Sequence, residues 1–373
     1  MKLKISYMKK KKDILFVAPF TYPHYTGGLE IFNYYLKNRL KENFNVSYLS
    51  FKNSKISGVK YHWLSEMRPI KYLIPLQTLL YLFFHPKTKM IVLSYSHGHG
   101  IMWYLYSWIR TLLRRDYIAV IHNGRAIHEE GRKKRARFFR NAYKVIAVSE
   151  DIKKNYDATF GIDCEVLYPL VPLTISNESK EELRTKYNIP TNATVISMIG
   201  SIIPLKNPDT LLEALDMCTE REVEQYNVHI VYVGGGFMFE DFKSRTRQSR
   251  FADRIHLLGI IHKENVKEIF KLTDIYVIAS DFEGTSISLL EAMYNSLPVI
   301  ASKASGITRI VTENKDALMF TTKNAEELKK NLLRICDDND LKKAISLAAK
   351  ETYEKNYSYE NMINEYIKIL NKE

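Results

Sequence analysis

The feature that most constrains this chain is an alternation, made twice over, of short β-branched runs with longer amphipathic stretches. The runs Ile14–Ala18, Val46–Ser50, Ile91–Tyr95, Ile118–Ile121 and Val145–Val148 read as strands. After a Pro-containing passage near Tyr168–Thr174 the pattern restarts, with strands at Val195–Ile199, His229–Val233, Ile255–Leu258, Ile275–Ala279 and Pro298–Ala301. Runs this apolar leave no face for water, which suits parallel sheets covered by helices on both sides. Two such sets predict an α/β chain of two Rossmann-like, doubly wound domains, with ligands at the carboxyl ends of strands. A length of 373 residues fits two domains. Their expected extents are 1–172 and 173–355, followed by a terminal segment, 356–373. The amphipathic stretch Tyr357–Leu370 within that segment reads as a helix that packs back toward the first domain.

Charge separates the two halves. Met1–Leu170 carries 29 Lys and Arg against 12 Asp and Glu, a net of about +17, while the remainder nets about −4. One half is therefore expected to meet something anionic, either nucleic acid or an acidic membrane face. The run Arg132-Lys133-Lys134-Arg135-Ala136-Arg137-Phe138-Phe139-Arg140 interleaves cations with aromatics, as phosphate-binding and base-stacking segments do. It contains no recognised nucleic-acid reading module, and a solvated helix face is the plain alternative. Membrane contact through Arg132, Lys133, Lys134 and Arg135 is the better fit, because Leu79–Phe84 and Ile101–Leu113 add apolar and aromatic residues. Those two stretches also read as ordinary core helices. No uncharged apolar run reaches the roughly 18 residues a spanning helix needs, and no apolar stretch precedes Ile14. Three scattered cysteines, Cys164, Cys218 and Cys336, read as free thiols. These observations point to a cytoplasmic chain, peripheral on the inner face of a membrane, that has no nucleic-acid partner.

Four segments carry candidate chemistry, each at the end of an expected strand. Thr26-Gly27-Gly28-Leu29-Glu30 opens a helix from Ile31, where paired glycines allow close approach to a phosphate and the helix start offers N–H donors. Asp281 to Met293 (Asp-Phe-Glu-Gly-Thr-Ser-Ile-Ser-Leu-Leu-Glu-Ala-Met) places Glu283 in a loop and Glu291 in the first turns of a helix. Amides between them face an anion well, and the carboxylates suit sugar hydroxyls. Ser288-Leu289-Leu290-Glu291 is equally a capping box, in which Glu291 only satisfies its own helix start. Gly200-Ser201-Ile202-Ile203-Pro204-Leu205-Lys206 sets a cation just before a helix near Pro208, positioned for a diphosphate or simply solvated. His122-Asn123-Gly124 puts a histidine at a strand end. No cluster of carboxylates, Cys or His has metal-site spacing.

As an ordered set these segments resemble the retaining glycosyltransferases of GT-B fold, the large bacterial glycan and glycolipid mannosyl- and glucosyltransferase family (glycosyl transferases group 1). Gly27-Gly28-Leu29-Glu30 matches the Gly-Gly-x-Glu opening loop, and Glu283 and Glu291 match two glutamates separated by seven residues. Ser280, Leu297-Pro298-Val299-Ile300-Ala301-Ser302 and Ile146-Ala147-Val148-Ser149-Glu150 fit the flanking strands. The resemblance covers nearly the whole chain. It implies two domains facing across a cleft and a UDP- or GDP-linked sugar donor, with no cofactor and no metal. It also implies transfer of a hexose-type sugar, with retention, to a glycan or lipid-linked acceptor, by front-face attack without a protein nucleophile. In that reading Glu283, Lys206 and His122 are catalytic. Donor binding falls to Gly27, Gly28, Ser201, Gly284, Thr285, Ser286, Ile287 and Glu291, with Glu291 on the ribose and Lys206 on the leaving diphosphate. The sequence departs from the family pattern at Ser201, where arginine is usual, at Ser305 for glycine, at Arg309 for glutamate, and at Tyr168-Pro169-Leu170 for Asn-Gly. A relative that binds nucleotide sugar or a partner without turnover is the alternative.

Overall fold

A computed structural model describes residues 11–18, 28–49, 74–95, 106, 108–122, 132–169, 172–283 and 285–373. The chain divides into two compact units, Met1–Pro172 with Tyr359–Glu373, and Leu173–Ser358. The first unit holds strands β1 (Lys12–Val17), β2 (Phe44–Leu49), β3 (Met90–Tyr95), β4 (Asp116–Ile121), β5 (Lys144–Ala147) and β6 (Glu165–Val166). They form a parallel sheet in the order β2-β1-β3-β4-β5-β6. Its helices include α1 (Gly28–Leu40), α2 (Ile74–Phe84), α3 (Ile109–Leu113), α4 (Arg132–Asn141) and α5 (Glu150–Phe160). Helix α5 begins where it does because the Ser149 hydroxyl accepts the Ile152 N–H and acids occupy the first turn.

The second unit contains β7 (Thr194–Ile199), β8 (Val228–Val233), β9 (Ile255–Leu257), β10 (Ile275–Ile278), β11 (Val299–Ser302) and β12 (Leu318–Phe320), all parallel, in the order β12-β11-β10-β7-β8-β9. Around it lie α6 (Lys180–Lys186), α7 (Pro208–Asp216), α8 (Glu220–Gln225), α9 (Phe239–Gln248), α10 (Val266–Leu272), α11 (Ile287–Tyr294), α12 (Ala325–Asp337) and α13 (Asn339–Asn356). Helix α14 (Tyr359–Asn371) closes the chain as part of the first unit. Its Tyr359 hydroxyl donates to Tyr35 O at 3.2 Å, and buried Tyr366 packs 6.4 Å from the Phe32 ring.

All ten expected strands are present, and the α/β, doubly wound expectation holds for both sheets. Two short edge strands, β6 and β12, are additions. In the second unit the strand order reverses between β7 and β10, and open α/β sheets bind ligands at that switch point. The corresponding place in the first unit lies between β1 and β3.

The cores differ in kind. Phe16, Phe32, Phe44, Tyr117, Phe138 and Phe160 are fully buried in the first unit. The second rests mainly on aliphatic residues such as Ile196, Ile230, Ile275, Val277 and Ile300. It also contains a buried ionic tie. Asp274, at the start of β10, takes Arg184 Nη2 and Lys180 Nζ at 2.5 Å each, and the Val195 N–H at 2.7 Å. Arg184, almost wholly buried, spends its other donors on the carbonyls of Leu272 and Thr191. Engaging every guanidinium nitrogen in this way is what makes a buried cation tolerable.

Candidate active site

The loops leaving β7 and β10 meet at the switch point. After β7 the chain runs through Gly200 and exposed Ser201 into a 3-10 turn, Pro204–Lys206, before α7 starts at Pro208. Asn207 adopts a left-handed conformation (φ +47°) between the two, which frees its amide to reach across. Asn207 Nδ2 donates to Ala279 O at 3.3 Å and to Asp281 Oδ1 at 2.5 Å, and the Asp281 N–H donates to Leu205 O at 2.9 Å. The far side of the β10 loop is pinned to the sheet as well. Ser302 Oγ donates to Ser280 O at 2.6 Å, and the Glu283 N–H donates to Ser305 O at 3.0 Å.

Two side chains brought together from opposite loops result from this lacing. Lys206 Nζ lies 2.6 Å from Glu283 Oε1, and the Ser280 hydroxyl donates to the same oxygen at 2.6 Å. Glu283 is buried, whereas the lysine is a quarter exposed at its side chain. A mobile ammonium on a fixed carboxylate, 77 positions away in sequence, is a cation ready to be shared with an incoming anion.

Helix α11 answers the question left open about Glu291. Its N-cap is Ser286, whose hydroxyl accepts the Leu289 N–H at 3.4 Å, and Ser288 is already inside the helix. Ser288 Oγ instead accepts from the buried Tyr276 hydroxyl at 2.8 Å. The Ser288–Glu291 capping box therefore does not form, because a tertiary contact claims the serine that the local pattern needs. Among the described residues no hydrogen bond reaches the Glu291 carboxylate. Burial pushes it up to about 7, with Lys263 offsetting part of the effect. A half-buried, underused carboxyl of this kind is suited to neutral hydroxyl donors.

Three glycines that the motif reading passed over shape this site. Gly234 (φ +140°) and Gly236 (φ +157°) follow β8 and press on the Gly200–Ile202 loop. A Cβ on Gly234 would come within 1.8 Å of Gly200 O, and one on Gly236 within 2.3 Å of Ile202 O. A run of three glycines directly after a strand was the available signal. Ile260, wholly outside any motif, is exposed and covers Gly235 closely.

In the first unit His122 ends β4 and is half-buried. Its Nε2 lies 2.9 Å from Ser94 Oγ, and Ser94 Oγ donates to Asn33 Oδ1 at 2.6 Å. Since the hydroxyl has one hydrogen and gives it to Asn33, Nε2 carries the imidazole proton and Nδ1 keeps its lone pair. Burial lowers the ring to about 3, so it is neutral at physiological pH. The Phe32 ring, 5.6 Å away, fixes its other side. Ser94 and Asn33 carried no motif, and only the fold reveals them.

Thr285 and Ile287 flank the Ser286 cap and are half-buried. Gly27 and Gly284 lie outside the described residues, as do Asn123 and Gly124. Gly28 is the first residue of α1, so that helix starts three residues earlier than expected. Arg132, Lys133, Lys134 and Arg135 form the first turn of α4, and their side chains lie outside the described set. Among the described residues, no group of three or more His, Cys, Asp or Glu is placed to hold a metal ion, and no helix is long and apolar enough to cross a membrane.

Residues 179–352, almost the whole second unit, match the family described as Glycosyl transferases group 1. The second unit is therefore similar to a group 1 glycosyl transferase domain. An uncharacterised glycosyltransferase of Methanocaldococcus jannaschii is 23% identical, over 93% of this chain and 95% of its own length. A UDP-Gal:α-D-GlcNAc-diphosphoundecaprenol α-1,3-galactosyltransferase of Escherichia coli is 27% identical, over 48% of this chain and 45% of its own. Among solved structures, Anabaena HepE in complex with UDP-glucose superposes with a TM-score of 0.69 at 16% identity, covering 97% of this chain and all of that one. The two-unit architecture is that of the GT-B glycosyltransferases.

Proposed function

We propose that this glycosyltransferase moves a hexose-type sugar from a UDP- or GDP-linked donor to a glycan or lipid-linked acceptor, with retention and without a metal. The observation that carries this reading is the convergence of the Lys206 ammonium and the Glu283 carboxylate, 2.6 Å apart, at the switch point of a group 1 domain. A nucleoside diphosphate leaves with negative charge on its terminal phosphate. Lys206 meets that charge as it develops, which is the contribution that lowers a barrier most. Without a ligand the lysine rests on Glu283. With donor bound it turns to the phosphate, and Glu283, still held by Ser280, accepts hydroxyls of the sugar. Glu291 takes the ribose, and Ser201, Gly27, Gly28, Gly284, Thr285, Ser286 and Ile287 line the donor. His122, neutral, is assigned to the sugar as a hydrogen-bonding group.

The E. coli relative acts on a diphosphoundecaprenol-linked sugar, and the basic first half of this chain supports an acceptor of the same chemistry at an anionic membrane face. Donor preference is tested by thermal shift with UDP- and GDP-sugars. A ligand at 100 times its Kd stabilises a two-state unit by about 2.7 kcal/mol, an easily read rise in Tm. Turnover is then followed with the donor that binds, with and without excess EDTA. A chain that binds no nucleotide sugar, or whose transfer stops in chelator and returns with Mg²⁺, overturns the reading.

A further inference from the structure

The outer face of α2 is apolar and exposed. Ile74–Phe84 contains no charged residue. Its inner face is engaged: Thr78 and Leu82 are buried, Thr78 Oγ1 lies 3.3 Å from the Tyr106 hydroxyl, and the Tyr81 hydroxyl donates to Ser47 Oγ at 2.5 Å. The opposite stripe is bare. Leu76 is 49% exposed, Leu80 48%, Phe83 74% and Phe84 64%, and their spacing puts all four on one side of the helix. Helix α3 adds Leu112, 70% exposed. The two helix ends are linked, since Arg115 Nη2 donates to Pro86 O, 2.9 Å away, in the turn that leaves α2.

The rim of this patch is cationic. From Ile74 to Asp116 the chain has Lys87, Lys89, Arg110, Arg114 and Arg115, against a single acid, Asp116. That acid is already occupied by Arg110 at 3.2 Å and Lys372 at 2.5 Å. Lys87, Lys89 and Arg114 are exposed. An apolar stripe as large as four leucine and phenylalanine side chains is unusual on a water-facing helix. Its charge surround decides the occupant. A second copy would bring like charge against like charge at the rim, whereas a leaflet of anionic lipid supplies the opposite charge around an apolar interior.

We propose that the α2 stripe, with Leu112, seats the first unit on an anionic bilayer, with Phe83 and Phe84 entering the acyl boundary and the lysines and arginines meeting headgroups. This deepens the membrane-facing acceptor proposed above and rests on that reading. It narrows the apolar contact expected of Leu79–Phe84 to the exposed stripe Leu76, Leu80, Phe83 and Phe84 of α2, a surface distinct from the α4 run Arg132–Arg135.

The test is co-sedimentation of the full chain with vesicles of equal parts phosphatidylglycerol and phosphatidylcholine, beside vesicles of phosphatidylcholine alone. The wild-type protein is expected to bind the anionic vesicles. Phe83→Ser with Phe84→Ser is expected to lose at least tenfold in binding, with an unchanged melting curve and unchanged donor turnover in solution. A Phe83→Trp variant is expected to shift its emission to the blue on the anionic vesicles only. Wild-type binding that survives the double serine change overturns the assignment of α2 and leaves membrane docking to another surface. Failure of the wild type to bind anionic vesicles at low salt overturns it too, as does a concentration-dependent dimer that the serine changes dissociate. Absence of donor turnover in every variant, with vesicle binding intact, sinks the enzymatic reading while leaving the docking surface standing.

Discussion

The two units share a layered parallel architecture but solve different problems with it. The second packs an aliphatic core beneath a laced pair of loops, so its charged groups are fixed by close partners: Lys206 on Glu283, Asp281 on the Asn207 amide, Arg184 on Asp274. The first packs aromatics, leaves an apolar helix face outside, and holds the half-buried imidazole of His122 with a neutral chain of hydroxyl and amide. Preorganised charge thus belongs to the second sheet, while the first offers surface and a neutral contact. The same strand layout accommodates both because the chemistry resides in loops at strand ends and leaves the sheet unchanged.

The largest expected effect tests the rigidity of the second unit. Arg184→Ala leaves Asp274 with only Lys180 and the Val195 N–H and removes four hydrogen bonds, so it is expected to destabilise that unit by about 3–5 kcal/mol in denaturant unfolding. A loss under 1 kcal/mol would mean the tie is not what holds β10 to α6. Next comes Lys206→Met, which keeps the stem and deletes the charge. Transfer is expected to fall by about 10²–10³ in kcat, as when one preorganised donor is removed, with the melting curve little changed. An unaltered kcat would place the charge stabilisation elsewhere and blur the contrast between the units.

Glu291 sharpens the comparison through pH. Its carboxyl, held up near 7 by burial, is protonated in the folded state at pH values where the unfolded chain has already ionised. Stability is therefore expected to fall as pH rises from about 4.5 through 7, then level off. Donor affinity is expected to move the other way over the upper part of that window, as the carboxylate becomes available to ribose hydroxyls. Glu291→Gln should raise stability above pH 7 by roughly 2–3 kcal/mol while weakening donor binding. A variant that melts lower at pH 8 with donor affinity intact would restore a structural role for this side chain.

The smallest effect belongs to the first unit. With His122 lowered to about 3, the pH profile of transfer between 5 and 8 is expected to show no limb from this residue. His122→Asn should shift the rate uniformly across that range. A new inflection near 6.5, removed by the substitution, would show that the ring titrates and acts as an acid or base.

Much of this was legible in advance, for reasons that can be named. The ten expected strands stood out because most carry unbroken apolar, β-branched runs, as strands buried on both faces do. β6 escaped because two residues are too few to show any period, and β12, no shorter than β9, because Leu-Met-Phe has no β-branched residue to mark it. The role of Glu291 stayed open in the sequence because Ser288 suits a cap by local pattern, whereas the observed cap is Ser286 and the Tyr276 hydroxyl, twelve positions upstream, engages Ser288. Glu283 and Lys206 were each visible as candidates, yet their contact across 77 positions required the fold. Ser94 and Asn33 were beyond reach, since a serine inside a strand and an asparagine inside a helix look like filler until His122 is placed against them.

The return of α14 to the first unit has a consequence for how the molecule is made. The second unit is one unbroken length of chain, Leu173–Ser358, inserted between the first unit and its last helix. On the ribosome the first sheet is complete long before Tyr366 arrives to cover Phe32, the ring that also backs His122. The first unit therefore stays unfinished throughout synthesis of the second, and a nascent chain halted before Tyr359 should expose its aromatic core to chaperones while the later-born unit folds without help. Supplying Tyr359–Glu373 as a separate peptide should complete such a truncated chain, which would make this helix a handle for switching the protein on by assembly.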